Sequence, residues 1–233
     1  MIDFHSHILP GIDDGSESLE QSLEMLAMEA RQGITHVVAT PHFYPRHDRP
    51  EDFLARRNLA ARTLKAAMEA HPGLPEITLG AEVYFFRGIS DSDILPELTI
   101  GDKNCILIEM PPAPWPDSVY EELTRIWERR RIRPVVAHID RYIAPLRTHG
   151  IPERLEKLPV LVQANADFFL NPGTTRMAMK MLKADRIHLL GSDCHDPDTR
   201  KPNMGQAMKR IAEKLGPDAL GRIHGYEHQI MNP

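Results

Sequence analysis

Cysteine is scarce in this sequence of 233 residues, which contains two of them, Cys105 and Cys194. Two cysteines cannot build the disulfide framework of a small secreted domain, so the sequence predicts a reducing, cytoplasmic location. The N-terminus lacks a charged segment followed by an apolar stretch, and no apolar run approaches the length that crosses a membrane. We therefore expect neither a secretory leader nor membrane insertion.

An excess of positive charge is also missing. The formal net charge is −5, from 28 basic and 33 acidic residues, and the densest basic run, residues 128–133, closes a predicted helix. Cations at the end of a helix complement its dipole, so this run needs no other explanation. The balance argues against a nucleic-acid-binding protein. With 42% hydrophobic residues the composition is typical of a soluble globular protein.

Short apolar runs alternate with longer helical patterns, and no glycine-rich nucleotide-binding turn interrupts them. The predicted strands are Ile2–His5, His36–Ala39, Glu76–Glu82, Cys105–Glu109, Pro134–His138, Val160–Ala164 and Ile187–Gly191. The predicted helices are Ser18–Gln32, Pro50–Ala70, Ser118–Arg131, Pro152–Glu156, Thr174–Lys183 and Asn203–Leu215. Continuously apolar strands indicate burial on both faces, as in a parallel sheet. We therefore predict one α/β domain over residues 1–233, an irregular seven-stranded barrel of the TIM type.

Histidine is abundant, with twelve in the chain, and many of them follow predicted strands. Chemistry in such a barrel lies at the carboxyl ends of the strands, and residues two apart in a strand face the same way. Six of the seven strands finish in an imidazole or a carboxylate, and the sixth differs, finishing in Asn165. The candidate side chains are His5, His7, His42, Glu82, Glu109, His138, Asp193 and His195.

Imidazole and carboxylate together are ligands for manganese, iron or zinc, and the lack of thiolates argues against a structural zinc site. In the segment GIDDGS, Asp13 and Asp14 are further candidates, although aspartate also favours turns and helix starts. This set is large enough for two or three ions. Clustered ions suit the hydrolysis of phosphate esters, since they polarise the phosphoryl oxygens and lower the pKa of a bound water.

The segment GSDCHDPDTR, residues 191–200, offers a competing interpretation, because Cys194 and Arg200 have the C-x5-R spacing of thiol phosphatases. Pro197 removes one amide from such a phosphate cradle, and Asp196 and Asp198 would repel the anion. Strand alternation would also turn Cys194 away from a site that Asp193 and His195 face. We therefore predict that Cys194 is buried and chemically silent.

Five motifs together carry a family resemblance: MIDFHSHILPGIDDGS at 1–16, TPH at 40–42, GAE at 80–82, AHIDRY at 137–142 and SDCH at 192–195. They resemble the polymerase-and-histidinol-phosphatase (PHP) superfamily. More narrowly, the chain is similar to the bacterial manganese-dependent protein-tyrosine phosphatases of capsule and exopolysaccharide loci, from residue 2 to about residue 205. The resemblance implies a distorted (β/α)7 barrel of PHP type. It also implies three divalent ions, with manganese favoured and iron, zinc or cobalt as alternatives.

The resemblance also implies roles for individual residues. The first ion would be held by His5, His7, Glu82 and Asp193, the second by Glu82, Glu109 and His138, and the third by Asp14, His42 and His195. Arg141 and Arg200 would grip the phosphate, for which the planar guanidinium is well shaped. Related sequences read HPERY where this chain has HIDRY at 138–142.

The implied substrate is phosphotyrosine in a protein, with the tyrosine-rich tail of a membrane tyrosine autokinase as the expected partner. Two alternatives stay open. One is a small-molecule phosphomonoesterase, such as histidinol-phosphate phosphatase, on the same metal scaffold. The other is a regulatory metal-binding PHP domain without turnover, which would be expected to have lost ligands.

Overall fold

Strands and helices alternate along the chain, as the apolar runs predict. The computed structural model describes residues 1–101, 104–143 and 150–231. The strands in these residues are β1 (Ile2–Ser6), β2 (His36–Ala39), β3 (His42–Phe43), β4 (Glu76–Leu79), β5 (Glu82–Tyr84), β6 (Cys105–Glu109), β7 (Arg133–Val136), β8 (Leu161–Asn165) and β9 (Leu189–Gly191). The helices are α1 (Leu19–Arg31), α2 (Pro50–Met68), α3 (Asp117–Arg130), α4 (Asp140–Ile143), α5 (Ile151–Leu155), α6 (Ala166–Leu170), α7 (Thr175–Lys183), α8 (Met204–Leu215) and α9 (Pro217–Met231).

All the strand pairs are parallel within the described part of the chain. One sheet has the order β1-β2-β4 and the other the order β3-β5-β6-β7-β8-β9. The two sheets also approach each other at β1 and β9, where the amide of Asp193 donates to the carbonyl of His5 (2.8 Å) and the amide of His7 to that of Cys194 (2.9 Å). The architecture is therefore an α/β fold with a curled parallel sheet.

The strand count differs from the expected seven, since the described residues form nine short strands. The predicted strand 76–82 divides at Gly80 into β4 and β5, and β3 follows β2 after Thr40 and Pro41. Proline has no amide hydrogen to give to a ladder, and glycine weakens a strand, so both breaks have a local cause.

The curl of the sheet is visible in a small hydrophobic cluster on its inner face. Strands β1, β2, β6, β7, β8 and β9 contribute side chains to this cluster: Phe4, Val38, Cys105, Leu107, Val135, Leu161 and Leu189. Ile230 of α9 joins the same cluster. A larger hydrophobic cluster lies between the outer face of the sheet and the helices. The carboxyl ends of the strands consequently converge above a filled interior.

The predicted helices are found within two residues of their expected ends, but three others are missed. Two of these, α4 and α6, are single turns of four and five residues; α4 begins shortly after β7, and α6 begins directly after β8. The third, α9, contains two glycines, Gly221 and Gly225, which lower its helical propensity. Its packing against α8 and β9 stabilises it instead. No helix in the described residues is both long and apolar enough to span a membrane.

A buried acid interrupts the apolar face of α1. Glu29 is fully buried, and its carboxyl lies with those of Asp3 and the thiol of Cys194 in a group whose polar atoms are within 4.8 Å of one another. Burial and the neighbouring carboxylate of Asp3 raise the pKa of Glu29 well above its usual range. An acid whose pKa rises on folding keeps its proton in the native state, so it destabilises the fold increasingly as the pH rises past its unfolded pKa.

Glu29→Gln is therefore expected to raise the melting temperature at pH 8.5 by a few degrees and to change it much less at pH 4.5. About 1 kcal/mol corresponds to about 2–4 °C in a chain of this size. Thermal unfolding of both proteins across this pH range measures the difference. Glu122→Gln is the matched control: Glu122 is buried but pairs with Arg125, so its loss should lower the melting temperature. An unchanged pH dependence in Glu29→Gln would contradict the prediction.

Candidate metal centre

The first strand delivers two imidazoles to the upper end of the curled sheet. The pairing of β1 with β2 is irregular between Asp3 and Ser6, the stretch that contains His5, and His7 follows directly after the end of β1. Their Nε2 atoms lie 3.1 Å apart, both rings being fully buried. Two ring nitrogens that face one point, with Asp193 Oδ1 at 3.6 Å from each, form a natural ligand set for a cation.

Glu82 lies at the centre of the site. Its Oε2 is 3.1 Å from His5 Nε2, 3.3 Å from His7 Nε2 and 3.1 Å from His42 Nδ1. Its Oε1 is 2.7 Å from His138 Nε2. A carboxylate that is 1% exposed and surrounded by four imidazoles is suited to bridge ions.

The remaining predicted ligands surround this centre. Asp14 Oδ1 is 3.5 Å from His42 Nε2 and 3.6 Å from His195 Nε2, and Glu109 Oε2 is 3.9 Å from His42 Nδ1. The structure thus brings all nine predicted ligands into one connected cluster. The grouping differs in detail from the one the resemblance implies, because His42 approaches Glu82 and Glu109 as well as Asp14.

Several polar atoms in the cluster are buried without a hydrogen-bond partner among the described residues. They are His42 Nδ1, Glu82 Oε2, Glu109 Oε2, His138 Nδ1 and His195 Nε2. Buried polar atoms are normally paired, so a group of orphaned donors and acceptors fits a site that binds an ion. The chemistry of the set, imidazole and carboxylate, fits a divalent cation.

Several ionisable groups of the cluster have pKa values far from their usual ones. Burial and the repulsion from Glu82 raise the pKa of Glu109 to about 7. Burial opposes protonation of His7, but the hydrogen bond to Asp13 and the nearby carboxylate of Glu82 outweigh it and raise the pKa of His7 to about 10. Burial and the neighbouring His7 lower the pKa of His195 to about 4, so this ring is neutral and able to coordinate.

Asp193 and His195 reach the site by a route other than strand alternation. β9 ends at Gly191, and the backbone of Asp193 is left-handed with φ 53°. His138 is likewise left-handed, with φ 30°, just beyond β7. Left-handed backbone is uncommon in residues other than glycine, and such strain is concentrated at functional sites. Asp193 and His195 face one site, as expected. Regular strand alternation is not the reason, because β9 ends at Gly191, before both residues.

Both predicted arginines contact Asp193. Arg200 donates to Oδ1 (2.9 Å), while Arg141, in α4, donates to Oδ2. Each side chain is about two-fifths exposed. A cleft of about 400 Å³ opens beside them. The two guanidinium groups therefore stand between the buried cluster and solvent, where an anion would enter.

The sequence analysis missed three polar residues beside the site, Asp3, Gln163 and Asn165, and considered Asp13 as a possible ligand, whereas in the structure Asp13 contacts His7. Asp13 accepts from His7 Nδ1 (2.8 Å) and from the amide of His42 (3.0 Å). Gln163 Oε1 accepts from the amide of His138 (2.6 Å), and Asn165 donates to Asp193 (2.9 Å). Asp3 accepts from the amides of His5 (3.1 Å) and Ser192 (2.9 Å). Gln163 and Asn165 are two apart on β8, the same spacing that indicated ligands on other strands.

Cys194 lies outside this cluster. Its side chain is fully buried in the hydrophobic layer between sheet and helices, and burial raises the pKa of the thiol well above its usual range. The amide of Cys194 donates to Ser192 Oγ (3.2 Å) rather than into the cleft. A protonated, inaccessible thiol is a poor nucleophile. The prediction that Cys194 is buried is therefore confirmed.

The chain is similar to known tyrosine phosphatases. The family model described as "Capsular polysaccharide synthesis, CpsB/CapC" matches residues 1–230. The chain is 33% identical over 226 residues to tyrosine-protein phosphatase CpsB of Streptococcus pneumoniae, covering 93% of this chain and 91% of that protein. It is 28% identical to tyrosine-protein phosphatase YwqE of Bacillus subtilis, over 93% of this chain and 85% of that one.

The fold also matches a solved structure. A crystal structure from work on B. subtilis YwqE and S. pneumoniae CpsB, described there as unique metal-dependent tyrosine phosphatases, superimposes with a TM-score of 0.87 at 24% sequence identity. The match covers 100% of this chain and 95% of the other. Fold and sequence therefore point to the same group of proteins.

Proposed function

The chain belongs to the capsular polysaccharide synthesis CpsB/CapC family, and from this premise we propose that it is a metal-dependent protein-tyrosine phosphatase. One observation carries the proposal: nine imidazole and carboxylate side chains converge on one place, and two arginines flank it at the edge of a cleft. Buried acids held beside orphaned imidazoles suit divalent cations, and exposed guanidinium groups suit a phosphate.

The proposed ligands are His5, His7, Asp14, His42, Glu82, Glu109, His138, Asp193 and His195. Their number is sufficient for three divalent ions, and mixed oxygen and nitrogen donors suit manganese, with iron, zinc or cobalt as alternatives. When bound, such ions supply positive charge to the phosphoryl group and activate water for attack. Asp13 and Gln163 orient His7 and the backbone of His138, and hydrogen-bonded ligands hold their geometry best.

Arg141 and Arg200 are proposed to bind the phosphoryl oxygens. Both contact Asp193 through part-exposed guanidinium groups. Because each guanidinium carries five N–H bonds, it can donate to a phosphate as well as to Asp193. Charge that develops on the phosphoryl oxygens would be stabilised by these fixed donors. The leaving phenolate of tyrosine has a pKa of about 10, so it departs more easily than an alkoxide.

A seven-stranded barrel of PHP type over a single domain, residues 1–233, is part of the proposal. Backbone hydrogen bonds continue across both strand breaks: Gly80 donates to Ala39 (2.9 Å) and Glu82 to Pro41 (3.0 Å). These bonds support treating β2 with β3, and β4 with β5, as two interrupted strands. The bridge between Ser6 and Cys194 supports closure of the barrel.

The proposed substrate is a phosphotyrosine-containing protein, with the tyrosine-rich tail of a membrane tyrosine autokinase as the proposed partner. The description of the family, capsular polysaccharide synthesis, supports this context. We further propose that the enzyme acts in the cytoplasm, where such a tail would lie.

The proposal is tested by the hydrolysis of a phosphotyrosine peptide with and without Mn²⁺. We expect phosphate release that disappears after exhaustive chelation and returns when Mn²⁺ is added. Histidinol phosphate and a phosphoserine peptide, at equal concentration, should be turned over more slowly. A full rate after chelation would contradict the metal-dependent mechanism, and a faster rate on histidinol phosphate would favour the small-molecule phosphatase instead.

The thiol alternative has its own test in Cys194→Ser. Because Cys194 is buried away from the cleft, we expect kcat/KM on the phosphotyrosine peptide to stay within about threefold of wild type, although a new buried hydroxyl costs about 1–3 kcal/mol of stability. Asp193→Ala, one residue away, is the matched variant that should lose activity. Inactivation by Cys194→Ser in a protein that is still folded would restore the thiol mechanism.

A further inference from the structure

Two tyrosines stand at the mouth of the metal cluster, each two residues beyond a proposed ligand. Tyr44 follows His42 and Tyr84 follows Glu82. β3 and β5 pair in parallel with His42 opposite Glu82, and the next strand places Glu109 opposite Tyr84. Residues two apart in a strand share a face, so Tyr84 rises from the same face as Glu82, one layer nearer to solvent.

The two rings contact each other and the cluster. The Tyr44 ring stacks on that of His42, with centroids 4.9 Å apart and planes inclined by 25°. The centroids of Tyr44 and Tyr84 are 5.8 Å apart, with planes inclined by 47°. Together they make a continuous aromatic wall above His42, and this wall is defined here as Tyr44 and Tyr84.

Core packing does not explain the wall. Both tyrosines are half-buried, and neither belongs to the two hydrophobic clusters formed by the described residues. Phe85 and Phe86, which follow immediately, do pack against the larger cluster. The wall is therefore an apolar surface that lines the site without filling the protein interior.

We propose that the aromatic wall receives the phenyl ring of the substrate and so selects aryl over alkyl phosphate esters. The inference rests on the proposed function and names the residues that would distinguish phosphotyrosine from phosphoserine. The two sides of the site differ in chemistry. On one side Arg141 and Arg200 contact Asp193. On the other side the aromatic wall borders His42 and Glu109. A substrate with a phosphate at one end and a ring next to it matches this arrangement. Aromatic pairs gain affinity beyond that of buried area alone.

The test compares two substrates in the manganese-loaded full-length enzyme, phenyl phosphate and phosphoserine. The measured quantity is the ratio of their kcat/KM values, since differences in leaving-group chemistry cancel between variant and wild type. We expect Tyr44→Ala and Tyr84→Ala each to lower this ratio about tenfold, mainly through the KM of phenyl phosphate. Tyr44→Phe and Tyr84→Phe should keep the ratio, since the ring remains.

Further variants distinguish substrate binding by the aromatic wall from a general structural effect of the substitutions. Tyr84→Leu keeps apolar bulk and loses the ring face, so its ratio should fall between those of the alanine variant and wild type. Tyr226→Ala changes a tyrosine on α9, outside the site, and should leave the ratio unchanged. An equal loss on both substrates, or an unchanged ratio in both alanine variants, would overturn the inference. Failure of the proposed function is seen separately, as a wild type that does not hydrolyse phenyl phosphate with Mn²⁺, and the inference would then fall with it.

Discussion

Glu82→Gln is expected to lower kcat/KM on a phosphotyrosine peptide by at least about a thousandfold. The carboxylate of Glu82 contacts four imidazoles and is the central proposed ligand, and an amide of the same shape removes its charge. Loss of a metal that supplies several kcal/mol of charge stabilisation costs about tenfold in rate for each 1.36 kcal/mol. Steady-state kinetics and metal analysis of the purified variant measure the two effects together, and we expect manganese content to fall with activity.

Glu122→Gln provides the control for this variant. Glu122 is also a buried glutamate, but it lies on α3 and accepts from the amide of Ser90 (3.2 Å). We expect it to keep the kinetics and metal content of wild type at a temperature where it is folded. Glu82→Gln with full activity and full metal content would show that the cluster does not hold the metals as proposed.

Arg200→Ala and Arg141→Ala are each expected to lower kcat/KM by about 10²–10³-fold, the usual effect of removing one fixed donor from a developing oxyanion. Lysine at either position should restore a small part of the activity, since it keeps the charge and loses the planar fork. Inhibition by inorganic phosphate separates anion binding from a structural role. We expect its inhibition constant to rise in both alanine variants.

Arg129→Ala is the matched control for the two arginines. Arg129 is half-exposed on α3 and pairs with Asp91, outside the cleft. It should leave both kcat/KM and phosphate inhibition unchanged. If Arg141 and Arg200 only neutralise Asp193, their loss would leave the inhibition constant of phosphate unaffected, which is the outcome that contradicts phosphate binding.

The rule that functional side chains follow the carboxyl ends of the strands identifies eight of the nine proposed ligands in the sequence. It does so because the strand ends of a parallel barrel meet at one edge. Glu109 is the last residue of β6, as the rule requires, whereas His42 and Glu82 begin the short strands β3 and β5 just beyond the breaks after β2 and β4. Asp14 escapes it, since it lies in a loop, and only the family resemblance separates it from Asp13. The structure gives the neighbours different surroundings: Asp13 is buried against His7, while the side chain of Asp14 is 66% exposed beside His42 and His195.

The features that sequence reasoning misses depend on geometry that is not local. The roles of Gln163 and Asn165 follow from what β7 and β9 bring beside β8, which periodicity cannot reveal. Neutral amides also give no signal in a search for metal ligands. Gly15 is under a constraint that the sequence does not reveal either. A side chain there would collide with the backbone of His7, because the loop returns onto β1.

The contact between β1 and β9 has a consequence for how the protein is made. His5 and Asp193 come from opposite ends of the chain, yet they are joined backbone to backbone beside the metal cluster. During synthesis the first strand leaves the ribosome long before its last partner, and contacts of such high sequence separation form slowly. The first strand must therefore wait with an unpaired edge until almost the whole chain is present. A nascent chain that stops before β9 lacks Asp193 and His195, two of the proposed ligands, so the proposed site cannot be complete in it.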